Sequence, residues 1–377
     1  MPHQTTHKTS LRSWIRVFSI AIALLAFLTF ATTGADLADT SETNFFNKCW
    51  DYKLVPNLSV EMEADQTTVF VPDIENSLHA IDLSTGNKIW SSEVGGNVIS
   101  NILVVKESIV FATNSPNGLP ASAGKTVVRA VSRQTGITLW QADVAASQRI
   151  WLGAVNGNAV ALGSNGWASS FTSSDGKIVW TSELGLGVTT DPIFHETNLR
   201  VGTKTNEVVD IDGQSGKVRK VWKSENVPTA ILNDASGRLL VGDDRGNLTA
   251  VSADGDRLWN FRNGAQISSV IEYDSEYVVA SYDNFIYKLS RGGNVEWKRR
   301  LPGRVNSRVA VLGDTAVIAI VGSGTVYGVN LKNGKILNRI ESGDEVSATV
   351  ASNRERTGFV MAGPTGLSYY ASKCPSK

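Results

Sequence analysis

Ala80-Ile81-Asp82-Leu83-Ser84-Thr85-Gly86-Asn87-Lys88-Ile89-Trp90 is a strand, a tight turn and a second strand that ends on an aromatic. The glycine allows a positive φ in the turn at no steric cost, and an indole is large enough to fill the wedge between two neighbouring sheets. The same unit returns as TGITLW ending at Trp140, DGKIVW at Trp180, SGKVRKVW at Trp222, DGDRLW at Trp259 and GGNVEW at Trp297. A further copy, Asn333-Gly334-Lys335-Ile336-Leu337-Asn338, keeps the turn and loses the Trp. The repeat glycines are Gly86, Gly136, Gly176, Gly216, Gly255, Gly293 and Gly334.

From Trp90 to Asn338 the intervals are 50, 40, 42, 37, 38 and 41 residues, the period of a four-stranded propeller blade. A helical repeat is excluded, because no segment carries apolar residues at i, i+3, i+4 and i+7 over ten or more positions. Around the first hairpin, Thr68-Val69-Phe70-Val71 is a preceding strand and Val98 to Val104 a following one, with counterparts at Gln266 to Ile271 and Val305 to Val311. Each blade is therefore a four-stranded antiparallel meander. Asn47-Lys48-Cys49-Trp50 repeats Asn87-Lys88-Ile89-Trp90, so Trp50 ends an outer strand with no blade before it. After Asn338 come three strands without a fourth, around Thr349, Phe359 and Tyr369. The two fragments complete each other, and the expectation is an all-β, eight-bladed propeller closed by its N- and C-terminal strands in one composite blade. Closure leaves no open edge at the seam.

Val17 to Ala35 is free of charge and is preceded by Lys8, Arg12 and Arg16, the pattern of an export leader. The length fits either cleavage after Thr33-Gly34-Ala35 or a retained membrane anchor, and both deliver the rest of the chain outside the cytoplasm. The expected organisation is 1–35 leader or anchor, 36–43 polar linker and 44–377 propeller, located in the periplasm, at the cell surface or secreted. Cys49 and Cys374 are the only cysteines. In an oxidising compartment they are expected to pair, stapling the seam of the composite blade.

Of 377 residues, 36 are Lys or Arg and 36 are Asp or Glu, so no net charge favours a nucleic acid partner. With 42% hydrophobic and 19% charged residues the chain has the composition of a folded globular protein. Beyond residue 35 only His79 and His195 remain, which leaves little material for a zinc site or a Ser-His-Asp set.

The pattern A-x-D-x-x-T-G-x-x-x-W resembles the repeat of pyrroloquinoline quinone (PQQ)-type propellers, from Trp50 to the C-terminus. An exported eight-bladed chain is most similar, within that family, to the BamB-type outer-membrane assembly factors. The resemblance implies a scaffold that binds protein partners in the envelope, with a monomer expected outside the complex. Two departures matter. No lipobox cysteine follows the apolar run, so the resemblance does not extend to lipid anchoring. No Cys-Cys dipeptide exists to support a quinone, so no cofactor is expected.

Candidate site residues come from breaks in the repeat. Eleven residues after the motif tryptophans lie Asn101, Trp151, Asp191, Val270 and Arg308. They fall in one column of the innermost strands, and Asn101, Trp151, Asp191 and Arg308 are the polar or aromatic members that could meet a ligand or partner at the axial mouth. The second blade is the longest, and its excess falls at 114–124, where Pro116, Asn117 and Leu119 would stand on the same face. Asp210-Ile211-Asp212-Gly213 and Asp243 to Asn247 superficially resemble calcium loops, but Asp212 shares the column of Asp82 and is read as a turn cap, with no metal site expected. Lys217, Arg219, Lys220 and Lys223, with Lys298, Arg299, Arg300 and Arg304, are read as solvated edge-strand charges. The favoured expectation is a non-catalytic scaffold. A quinoprotein or other enzyme working through Asp191 and Arg308, and a carbohydrate-binding propeller stacking sugars on Trp151, are the alternatives.

Overall fold

The computed structural model describes residues 45–114, 126–185, 187–305, 309–341 and 349–375. The leader, the linker, the 115–125 insertion and Arg308 lie outside the described residues. Among those described, eight four-stranded antiparallel sheets account for all strands. Blade 1 consists of Glu63–Ala64, Thr68–Pro72, Ser77–Asp82 and Lys88–Glu93, ordered from inner to outer strand. Blades 2 to 7 repeat this, and blade 8 is Thr349–Ser352, Gly358–Gly363 and Gly366–Ala371 with Asn47–Lys53 as its outer strand. The N-terminal strand thus completes the C-terminal sheet, with Trp50 opposite Tyr369 and Tyr52 opposite Leu367.

The core lies between sheets. Phe70, Leu78 and Trp90 of blade 1 pack with Ile109, Phe111 and Val131 of blade 2, all buried. Where the repeat offers Asn338 in place of Trp, Phe46 from the lead-in to the first strand packs instead among Leu312, Val317 and Val326 of blade 7 and Phe359, Met361 and Tyr370 of blade 8. Cys49 and Cys374 are bonded, with their Cα atoms 5.3 Å apart and 325 residues between them in sequence.

The turn glycines have positive φ, 74° at Gly86. A Cβ on Gly86 would sit 2.8 Å from Cγ and Cδ2 of Trp50, the indole of the preceding blade. Trp50 also donates Nε1–H to the Leu83 carbonyl at 2.8 Å, so one side chain both fills and stitches the joint. Gly136, Gly176, Gly216, Gly293 and Gly334 lie under Trp90, Trp140, Trp180, Trp259 and Trp297 in the same way. Trp222 does not cover Gly255, and instead packs two residues further along its strand among Val208, Ile231 and Val241. Sequence alignment on the tryptophan hides this shift, because the strand Val218–Lys223 is as long as Lys88–Glu93 and only its aromatic has moved.

Two expected strands differ in extent, that of blade 7 being Ala310–Leu312 in place of Val305 to Val311. In blade 2 the regular inner strand is Leu103–Val105, and 98–102 is held irregularly. There the Ser100 hydroxyl accepts from the Ala112 amide at 2.8 Å, in the place of a backbone carbonyl, while the Ile99 carbonyl accepts from Ile150 of the next blade at 3.2 Å.

Candidate functional site

In a four-stranded meander the loops joining outer to next inner strand and those joining second to third strand emerge on one face. That face carries Glu61, Arg149 and Asp191, and the stretch that leads into the 115–125 insertion. Trp151, the second residue of the inner strand Ile150–Val155, donates its indole Nε1–H to Asp191 Oδ1 at 2.8 Å. Arg149 Nη2 lies 3.4 Å from the same oxygen and 3.7 Å from Glu61 Oε1. Its Cζ stands 4.9 Å over the Trp151 ring, a cation–π arrangement. The carboxylates of Glu61 and Asp191 therefore hold a guanidinium at the mouth, and the guanidinium covers the indole.

This geometry changes the reading of the column. Trp151 is buried, 7% exposed, because it spans the gap from blade 3 to blade 4 and lies beneath Arg149. It offers no open ring face for a sugar. Asn101 is likewise turned sideways: its Nδ2 donates to the Leu152 carbonyl at 3.0 Å and its Oδ1 accepts from the Leu152 amide at 2.8 Å. Val270 is buried in the joint between blades 5 and 6. The polar members stitch adjacent inner strands, and the groups that reach solvent are Arg149, Glu61 and Asp191, with side chains 52%, 39% and 39% exposed. Arg149 and Glu61 were not singled out by the repeat, since both lie in loops between repeat units. Pro116, Asn117, Leu119 and Arg308 lie outside the described residues.

A second feature of that face is a cleft of about 480 Å³ beside blade 5, lined by Glu225, Asn226, Asp244, Arg245, Asn247 and Arg262 among others. It is separate from the Trp151–Asp191 pair. Its floor is fixed by Asp243, whose Oδ1 accepts from the amides of Arg245 and Asn247 (2.9 and 2.8 Å) and whose Oδ2 accepts from Asn226 and Asn247 (2.9 and 2.8 Å). Asp212 similarly accepts from Ser215 N and Oγ at 2.8 and 2.6 Å. Both carboxylates are spent on turn donors.

On the opposite face, between blades 4 and 5, a polar network takes the place of the aromatic joint. Arg200 donates to both oxygens of buried Asp210 (2.6 and 2.9 Å) and to Asn233 Oδ1 (2.8 Å), and Arg219 donates to Asp210 Oδ2 (3.0 Å). Asn233 Nδ2 donates to His195 Nε2 at 2.8 Å, which requires a neutral imidazole. Burial, then the Arg200 guanidinium, pushes the His195 pKa down, against the pull of Asp210. The signal for this network was in the sequence: Asp210 stands where Ala80, Ala130 and Ala250 stand in other blades.

The one disulfide among the described residues joins the outer strand of blade 8 to the chain end at the seam.

The indole-on-glycine joints and the eight-sheet ring define a propeller of the PQQ-like type. A sequence profile of the family described as Outer membrane protein assembly factor BamB matches residues 47–126, 124–235 and 219–365, and the chain belongs to that family. It is 24% identical over 323 residues to the outer membrane protein assembly factor BamB of Yersinia pestis, spanning 78% of this chain and 82% of that protein. The crystal structure of BamB from Moraxella catarrhalis superposes with a TM-score of 0.68 at 11% identity, covering 86% of this chain and 99% of the other. Sqt1 of Saccharomyces cerevisiae reaches the same TM-score of 0.68 at 13% identity, covering 86% and 98%. At such identities these two structures speak to the fold alone.

Proposed function

We propose that this chain is an extracytoplasmic, non-catalytic scaffold that binds a protein partner of outer-membrane protein assembly through the face bearing Arg149, Asp191 and the second-blade insertion. The observation that carries the reading is the family match along nearly the whole ring. Two features support the choice of face. The mouth is lined by a guanidinium and two carboxylates that are exposed yet held in place by one another, which suits charge-matched recognition. The longest loop of the ring departs from the same face, between Ser108–Asn114 and Thr126–Ser132. Residues 1–35 act in this reading as the export leader or as a membrane anchor, 36–43 as a linker, and the propeller is a monomer outside its complex.

The test is to add tagged 36–377 to extracts of the native envelope and identify what co-purifies. The comparison proteins lack 115–124 or carry Arg149→Glu. Capture of an outer-membrane assembly component, lost in both variants, is the expected result. Undiminished capture by both variants would move the interface off this face, and turnover of a small molecule abolished by Asp191→Asn would replace the scaffold by an enzyme.

A further inference from the structure

Six joints of the ring use one device. An indole lies on the positive-φ glycine of the next blade's turn and donates Nε1–H to a carbonyl just before that glycine, as in Trp50 to Leu83 O (2.8 Å), Trp90 to Arg133 O (2.9 Å) and Trp259 to Arg291 O (3.0 Å). The joint between blades 4 and 5 departs from it. In the outer strand Val218–Lys223, Arg219 stands opposite Asp210, the pairing that Trp90 makes with Ala80, while Trp222 stands opposite Val208, nearer the other face. Gly255 nevertheless keeps the turn conformation, with φ 93°, and beyond its own two chain neighbours no atom lies within 4 Å of the position its Cβ would take. It is exposed, whereas Gly86, Gly136, Gly176, Gly216 and Gly334 are buried beneath their indoles.

We propose that the turn Ala253 to Gly255 is a vacant indole socket, and that it receives a tryptophan side chain borne by an envelope protein partner. This rests on the scaffold reading above but uses the opposite face. The six filled copies state what the socket fits: a flat aromatic on the glycine, with an N–H toward the Ala253 carbonyl, which occupies the place of Arg291 O. The seam stays closed without it, since Arg200, Asp210 and Asn233 already tie blade 4 to blade 5. Charge gives the socket a direction. Its blade 4 side presents Arg219, 75% exposed at its side chain, with Lys217 nearby, and its blade 5 side presents exposed Asp254 and Asp256. An acidic residue next to the tryptophan would meet Arg219, whose side chain is 75% exposed. A free ring in water gains by covering such a surface, and a tryptophan anchor is the usual carrier of interface energy.

The test titrates the full chain, in a mild non-ionic detergent and labelled with 15N at glycine, with the peptides Gly-Asp-Trp-Asp-Gly and Gly-Asp-Ala-Asp-Gly. The Gly255 amide is assigned by its loss in Gly255→Asn, a residue that tolerates positive φ. The expected result is a saturable shift of the Gly255 amide with the tryptophan peptide only, with affinity lowered at least tenfold by Arg219→Glu and restored by Arg219→Lys. No shift at Gly255 up to millimolar peptide, or an equal shift from the alanine peptide, overturns the socket. Because the wild-type chain carries the decisive reading, misfolding of a variant leaves the test intact. Envelope capture that depends on 115–124 reports separately on the scaffold reading, so peptide binding without capture, or capture without peptide binding, tells which of the two has failed.

Discussion

Trp50 lies over Gly86 so closely that a single methyl group on the glycine would meet the indole at 2.8 Å. The contact joins blade 8 to blade 1, and it is made by the N-terminal strand's indole and the first turn-and-aromatic unit.

Gly86→Ala combines a left-handed φ with that clash, and is expected to cost about 2–4 kcal/mol. Gly255→Ala carries the strained φ of 93° with open space around it, and is expected to cost about 1 kcal/mol. Urea unfolding of the two variants side by side checks the difference, which fails if both lose the same amount.

Removing the seam bond should be felt across the whole molecule. Cys49 and Cys374 are separated by 325 residues, and the chain-entropy account values closure of so long a loop at about 5 kcal/mol as an upper figure. Cys49→Ala with Cys374→Ala, or reduction of the wild type, is expected to lower the melting temperature. An unchanged melting curve after verified reduction would show that strand pairing alone closes the ring.

Asp210→Ala leaves the mostly buried Arg200 guanidinium without its carboxylate, and a loss of about 3–5 kcal/mol follows from an uncompensated buried charge. Asp210→Ala with Arg200→Leu removes both charges and should recover most of that loss. A double variant no more stable than the single one would mean that the network acts through Asn233 and not through the ion pair.

His195 makes stability pH-dependent with a definite sign. Its folded pKa is lowered by burial and by Arg200, so the unfolded chain binds the proton more readily. The stability it contributes is fully present above the unfolded value of about 6.5 and is lost as pH falls from there through the depressed folded value. His195→Gln is expected to flatten the decline in melting temperature below that pH. A parallel decline in both proteins would assign the pH dependence to other groups.

The repeat made the architecture legible because its requirements are local. A turn that needs a positive φ selects glycine, and a wedge that needs filling selects an indole four residues later, so Gly86 and Trp90 announce a blade without reference to the rest of the chain. The pairing of Asn47–Lys53 with Gly366–Ala371 follows from counting strands, since a C-terminal sheet one strand short and a single N-terminal strand without a blade complete each other. The site was less legible. Trp151 and Asp191 stand out as departures from a column, but spacing along the chain does not tell whether an inner-strand residue such as Trp151 faces the axis or the next blade, nor that Asp191 lies in the loop before Ile193–Phe194. Arg149 and Glu61 escaped because loops carry no period.

The number of blades and the composite closure follow from short-range turn chemistry repeated along the chain, and the disulfide at the seam from two cysteines in an exported chain. Tertiary structure alone decided which joints are filled. Whether an indole reaches the next blade's glycine depends on strand pairing and on the position of a bulge, and a shift of Trp222 by two residues at constant strand length left Gly255 open while Asp210, Arg200 and Asn233 took over the joint.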